Sequence, residues 1–224
     1  MEKKKVWLSW SSGKDSAWTL YQLQQDDSIQ LEGVFTTINK EFERVAMHAV
    51  RVDLLKEQAK AFDLPLKIIE LPFPCSNEQY ELIMTDFLSE IKETGIDAFA
   101  FGDLYLEDIK DYRINNLKGT GIEAIFPLWK TPTNELSKEM VQSSLKTVIT
   151  CVDPKQLDPS FVGREYNQSF LNDLPNTVDP CGENGEFHSF VYDGPMFKQK
   201  IDVNVGEVVT RDGFVFADIV KSKS

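Results

Sequence analysis

The chain has 224 residues, of which 42% are hydrophobic, enough for one large core or a large domain with a small appendage, and too many for wholesale disorder. A net charge of −12 opposes phosphate backbones, so nucleic acid is a poor candidate partner. No apolar run approaches the roughly 20 residues that span a bilayer, and the three cysteines, Cys75, Cys151 and Cys181, form no CxxC pair, so a cytoplasmic protein without membrane contact is expected.

The run Val6 to Leu8 predicts a buried strand, small and hydroxylated residues then make a turn, and apolar residues return at helical spacing through Ala17, Trp18, Tyr21 and Leu23. Leu31 to Ile38, rich in β-branched and aromatic residues, predicts strand two. After polar residues and the segment Met47-His48-Ala49-Val50-Arg51, a helix over 52–62 stops before Pro65. Leu66 to Leu71 is strand three. Ser76 and Gln79 form a capping box for a long helix that reaches about Thr94 and is stopped by Gly95. Asp97 to Phe101 is strand four, and a helix from about Leu106 carries Glu107 and Arg113. Glu123 to Pro127, Thr133 to Ser144 and Lys146 to Val152 complete the alternation as strand, helix and a sixth strand. Strands followed by helices predict an α/β, doubly wound, mostly parallel sheet.

Beyond Asp153-Pro154 the chain breaks into glycine- and proline-punctuated pieces, then alternates through Phe187 to Tyr192, Lys200 to Val209 and Phe214 to Ile219. The expected division is a nucleotide-binding domain over 1–153 and a smaller antiparallel substrate-binding region over 154–224.

The loop Ser9-Trp10-Ser11-Ser12-Gly13-Lys14-Asp15-Ser16 stands between the first strand and helix. Backbone N–H groups, the positive end of a helix dipole, three hydroxyls and the Lys14 charge converge there, which suits phosphate oxygens. It is not a Walker A loop, because Leu8 occupies the place of that motif's first glycine and Asp15 the place of its Ser or Thr. A plainer use of the same residues is an N-cap from Ser11 or Ser12. Ligands of open α/β sheets bind beyond the carboxyl ends of the strands; Ser9 to Ser16, Thr36 to Arg44 and Gly102-Asp103 all lie at such ends. A second concentrated stretch, Cys181-Gly182-Glu183-Asn184-Gly185-Glu186-Phe187-His188, gathers two carboxylates and an imidazole, and period-two alternation gives Glu186 and His188 one face.

The first loop resembles Ser-Gly-Gly-Lys-Asp-Ser, the pyrophosphate loop (PP-loop) of the N-type ATP pyrophosphatases, with Ser12 at the first glycine. Together with Gly182 to Phe197, Phe101-Gly102-Asp103-Leu104 and Pro127-Leu128-Trp129, it makes nearly the whole chain resemble the diphthine–ammonia ligase family. The Phe187-His188-Ser189 variant is similar to that of prokaryotic paralogues. The resemblance implies a Rossmann-like, adenine nucleotide alpha hydrolase-like domain and ATP at Ser9 and Ser11 to Ser16. It also implies a substrate region that includes Glu183 and Glu186. The implied chemistry is attack of an acceptor carboxylate on the ATP α-phosphorus, loss of pyrophosphate, and opening of the acyl-adenylate by ammonia. Lys14 with the loop amides would hold phosphates, and Mg²⁺ would bridge them with help from Asp15 or Asp103. Adenine would rest near Phe35, Thr36 and Thr37. Glu183, Glu186 and His188 are candidates for binding the acceptor or guiding ammonia; His188 is a candidate general base or a structural histidine. His48, Arg51, Gly102, Glu107 and Arg113 complete the substrate candidates, and Cys181 reads better as a small buried residue than as a nucleophile. Partners are ATP, ammonia and a carboxylate-bearing acceptor, either a diphthine-modified protein or a small molecule; a homodimer is compatible with this. A non-catalytic nucleotide sensor of the universal-stress type is the alternative, and a tRNA-modifying enzyme is disfavoured by charge.

Overall fold

A computed structural model describes residues 2–41 and 50–222, together with the backbone of residues 44–45. His48 lies outside the described residues. The first sheet contains β1 (Lys4–Ser9), β2 (Ile29–Asn39), the two-residue β3 (Arg44–Val45), β4 (Leu66–Leu71), β5 (Ala98–Ala100) and β6 (Glu123–Ile125). Five of these pair in parallel in the order β4-β2-β1-β5-β6, and β3 adds an antiparallel bridge at the tip of β2. The order reverses between β1 and β5, which makes that junction the topological switch point of a Rossmann-like α/β sheet.

Helices α1 (Lys14–Gln25) and α2 (Val52–Phe62) belong to one core with Leu8, Trp10 and Val34, whereas α3 (Asn77–Lys92) and α4 (Glu107–Leu117) belong to a second core around Phe35, Phe99 and Phe101. The sheet is therefore covered on both faces, as βαβ crossovers require. The Ser76 and Gln79 capping box forms at the start of α3. Among the described residues, no helix is long and apolar enough to cross a membrane.

Helix α5 (Thr133–Gln142) leads to a second sheet, antiparallel, made of β7 (Lys146–Val152), β8 (Phe187–Asp193), β9 (Val203–Arg211) and β10 (Phe214–Lys221) in the order β8-β7-β10-β9; a short helix, α6 (Gln168–Asp173), precedes β8. Here the sequence expectation needs correcting: Lys146 to Val152 is not a sixth strand of the parallel sheet. It is buried on both faces from Thr147 to Val152 and so carries no period-two mark of its sheet; its neighbours are the later strands β8 and β10. Asp212 and Gly213 both have positive φ (52° and 84°), the geometry of a two-residue hairpin turn between β9 and β10.

The second sheet is fastened to the first domain at defined points. Val191 N–H donates to the Ser12 carbonyl (3.0 Å) and Lys198 N–H to the Ala61 carbonyl (2.6 Å). Arg51, at the N-cap of α2, makes a two-bond ion pair with Asp218 of β10 (3.1 and 2.6 Å). Val148, Phe190, Val191 and Ile219 join the core of α1 and α2, so the edge strand β8 runs beside the loop that follows β1.

Candidate functional site

The loop after β1 has an unusual start. Helix α1 begins after Gly13 with no side-chain cap, so the plain N-cap use of Ser11 or Ser12 is not realised. Ser11 instead meets the Ser16 hydroxyl (3.1 Å), and Ser16 donates to the Gly13 carbonyl (3.0 Å). Ser12 sits at φ 71°, a left-handed conformation that costs an L-residue roughly 1–2 kcal/mol. Among the described residues its buried hydroxyl has no hydrogen-bond partner. Among the described residues no hydrogen bond uses the N–H groups of Ser12, Gly13 or Ser16. Unpaired N–H groups at an uncapped helix N-terminus can receive an anion.

The loop is held by residues from three elements. Gln58, fully buried on α2, accepts from Trp10 Nε1 (2.9 Å) and donates to the carbonyls of Ser12 (3.1 Å) and Val191 (2.7 Å). The Ser189 hydroxyl on β8 accepts from Lys14 N–H (3.2 Å). The Lys14 ammonium is buried, pairs with Asp15 (2.8 Å) and lies over the rings of Phe187 (5.3 Å) and Tyr166 (6.0 Å). Burial opposes its charge, yet Asp15, with Cys181 and Glu183 adding to it, outweighs burial and the Lys14 pKa is raised. Burial also pushes the Asp15 carboxyl up. The two shifts pull the pair in opposite senses; the short contact decides in favour of a charged lysine.

On the other side of the switch point, Gly102 follows β5. A Cβ there would stand 3.1 Å from the Asp15 carbonyl and the Ser16 nitrogen, so the close approach of the β5 end to α1 needs glycine. Asp103 pairs with Arg113 of α4 at 3.5 Å. Burial raises its carboxyl, and the nearby Asp15 charge adds to that. Each of the two carboxylates already has a basic partner, Lys14 for Asp15 and Arg113 for Asp103. No group of three or more metal-ligating side chains exists among the described residues.

The second motif reaches this point. The Glu183 carboxylate accepts from the N–H groups of Leu104 (2.9 Å) and Tyr105 (3.4 Å), directly beyond β5. Burial raises its pKa to about 7, with the Asp15 charge contributing. Glu186 has a different role from the one its spacing suggests. It is 2% exposed and accepts from Asp179 N–H (2.9 Å), Asn184 N–H (2.9 Å) and the Asn184 amide (3.0 Å), so it clasps its own loop. It precedes β8 and does not share a strand face with His188. Gly182, at φ 69°, lets that loop turn against Phe187.

A cleft of about 960 Å³ opens above the carboxyl ends of β1, β2 and β5. Ser9, Trp10, Ser11, Thr36, Thr37 and His188 line one end of it, and α3 and α4, including Arg113, line the other. Of the sequence candidates, Ser9, Ser11, Thr36, Thr37, Arg113 and His188 line this cleft, whereas Ser12 to Ser16, Gly102, Asp103, Glu183 and Glu186 stand beside it and not in its lining, and Arg51 and Glu107 are engaged elsewhere. Arg51 is committed to Asp218, and Glu107 pairs with Lys130 (3.3 Å) at the surface; Cys181 is buried, and burial drives its thiol pKa up, against a nucleophilic role. Gln58, Tyr166 and Ser189 were missed. Gln58 left a trace, a polar residue on the apolar stripe of Leu54, Leu55, Ala59 and Phe62; Tyr166 left none.

The fold and site define a Rossmann-like α/β protein at whose switch point a carboxylate loop from an appended antiparallel sheet bonds the backbone beyond β5. Residues 4–122 match the family model of the diphthamide synthase N-terminal domain and residues 132–224 that of the diphthamide synthase C-terminal domain. The chain belongs to the diphthamide synthase family. Diphthine–ammonia ligases of Bos taurus and Homo sapiens are each 30% identical over 152 residues, 65% of this chain and 56% of theirs. That of Schizosaccharomyces pombe is 26% identical over 220 residues, 89% of this chain and 36% of its own. The chain thus spans about half, or less, of the length of these curated relatives.

Proposed function

We propose that the protein is an ATP-dependent ligase that forms an amide from a carboxylate and ammonia. The observation that carries the reading is the convergence of three segments at the switch point: the uncapped loop at Ser11 to Ser16, Gly102-Asp103, and Glu183 bonded to the N–H of Leu104 (2.9 Å). A nucleotide-binding sensor has no need of a buried carboxylate with a pKa near 7 in that place. The diphthine–ammonia ligases among its relatives support the same reaction class.

In this reading the ATP phosphates lie at the N–H groups of Ser12, Gly13 and Ser16, with the Lys14 charge behind them. Adenine lies at the Thr36 and Thr37 end of the cleft. The acceptor carboxylate oxygen attacks the α-phosphorus, the bond to the bridging oxygen breaks, and pyrophosphate leaves. Ammonia then attacks the acyl carbon and AMP leaves with the electron pair of the C–O bond. The proton shed by the attacking nitrogen goes to Glu183, whose carboxyl pKa is raised by burial to about 7, or to the imidazole of His188 at the cleft wall. When bound, Mg²⁺ would neutralise phosphate charge, with Asp15 and Asp103 as the carboxylates available to it. The remainder of catalysis is positioning and charge neutralisation.

Incubation with ATP, Mg²⁺, ammonium and candidate carboxylates tests this. AMP and pyrophosphate in equal amounts are expected; ADP and phosphate, or no acid-dependent turnover, would overturn it.

A further inference from the structure

The end of the cleft away from the loop is built by two facing helix stripes. On α3, Tyr80, Met84 and Leu88 recur every four residues; on α4, Ile109, Tyr112, Arg113 and Asn116 recur every three or four. Such spacing puts each set on one side of its helix. The fully buried anchors of the helices are Phe87 and Ile91 on α3 and Leu117 on α4; Met84 and Leu88 pack against the same core at its open edge. Tyr80, Met84, Leu88 and Ile109 are half-buried, and Tyr112 is 45% exposed. Phe99 and Phe101 close the floor. Apolar and aromatic side chains held open to water around a concave floor are the composition of a ligand pocket.

The charge of this pocket is specific. Arg113 is the only lysine or arginine among the described residues that line the cleft. Its guanidinium lies over the Phe101 ring (5.0 Å), and Nε makes the single long contact to Asp103 (3.5 Å). Its two terminal nitrogens form no hydrogen bond among the described residues, although a guanidinium offers donors in a fork that matches a carboxylate. Through Asp103 it stands at the end of β5, next to the junction with the β1 loop. A second carboxylate on a ligand would meet Glu81 at the rim and the field of a chain with net charge −12.

We propose that the α3–α4 half of the cleft is the acceptor site, and that the acceptor is a monocarboxylate with an apolar or aromatic body. The body lies against Tyr80, Met84 and Leu88, and the carboxylate lies on Arg113. This rests on the ligase reading for the word acceptor, but the binding site is testable without turnover.

The test is calorimetric titration of the full chain with 3-phenylpropanoate, its uncharged counterpart 3-phenylpropanol, succinate, and separately ATP. The wild type should bind 3-phenylpropanoate about tenfold more tightly than succinate or the alcohol, a difference of one charge pair. Met84→Trp, which fills the pocket, should weaken 3-phenylpropanoate by about tenfold or more and leave ATP affinity within about twofold. Arg113→Gln should weaken the acid and leave the alcohol unchanged; retained ATP binding certifies the fold of each variant. Equal binding of 3-phenylpropanoate and succinate, no binding of either, an unaffected acid in Met84→Trp, or an equal loss of ATP would each overturn the assignment. The ligase reading fails separately, by absence of AMP and pyrophosphate.

Discussion

Glu183 offers a thermodynamic test of the site that needs no substrate. Its pKa is raised from 4.5 to about 7, first by burial and then by the Asp15 charge, and the bonds from Leu104 and Tyr105 only partly offset this. A carboxyl with a raised folded-state pKa reverses the usual linkage. Between the two values the folded state holds the proton and the unfolded chain has lost it, so stability falls as pH rises. At about 1.4 kcal/mol per unit, a rise of roughly 2.5 units removes about 3 kcal/mol, and the loss is complete by about pH 8. Glu183→Gln imitates the protonated acid and keeps an oxygen for the Leu104 N–H. Asp15 and Asp103 shift in the same direction, but both proteins contain them, so the difference between the two stability curves isolates Glu183. Urea unfolding of both proteins should give equal stabilities near pH 4 to 5 and a variant more stable by about 3 kcal/mol near pH 8. A flat difference, or a wild type that gains on the variant as pH rises, would refute the buried, strained carboxylate.

Ser12→Gly removes a side chain from a left-handed residue (φ 71°) and deletes a hydroxyl without a partner; a gain of about 1 kcal/mol, or roughly 2–4 °C in Tm, is expected by calorimetry. A lower Tm would mean that the hydroxymethyl group is holding the loop. Gln58→Leu strands Trp10 Nε1 and takes a donor from the Val191 carbonyl, whereas the Ser12 carbonyl keeps the Val191 N–H. At about 1–3 kcal/mol for each of the two groups, urea unfolding should show a loss of about 2–6 kcal/mol; a loss under about 1 would deny Gln58 its place as the joint. Glu186→Gln sets an amide against the Asn184 N–H donor and should lower stability by about 2 kcal/mol. Turnover per folded molecule should persist; an unchanged Tm with abolished turnover would return Glu186 to the chemistry.

The parallel sheet was legible because its strands are short apolar runs alternating with helical segments, two of which end at the clear stops Pro65 and Gly95. The sheet membership of Lys146 to Val152 was not, since buried strands of either kind read as continuous apolar runs. In the site, the serine loop and Glu183 stood out by their chemistry. The distinction between Glu183 and Glu186 did not, because two glutamates in one loop look alike until one is seen filled by three donors from its own turn. Arg51 and Asp218 are 167 residues apart, and no spacing rule connects such a pair. Tyr166 and Ser189 approach Lys14 only through the docking of β8 on the loop, a tertiary event without a local signature.

The central claim is that the phosphates of ATP meet the bare N–H groups after β1 and face the carboxylate loop across the switch point. Hydrogen–deuterium exchange with and without α,β-methylene ATP measures this directly. Protection is expected in peptides that cover Ser11 to Ser16, and in those that cover Gly102 to Tyr105, with the second sheet's far strand β9 unchanged. Unaltered exchange at Ser12, Gly13 and Ser16 at a nucleotide concentration that saturates binding would contradict it.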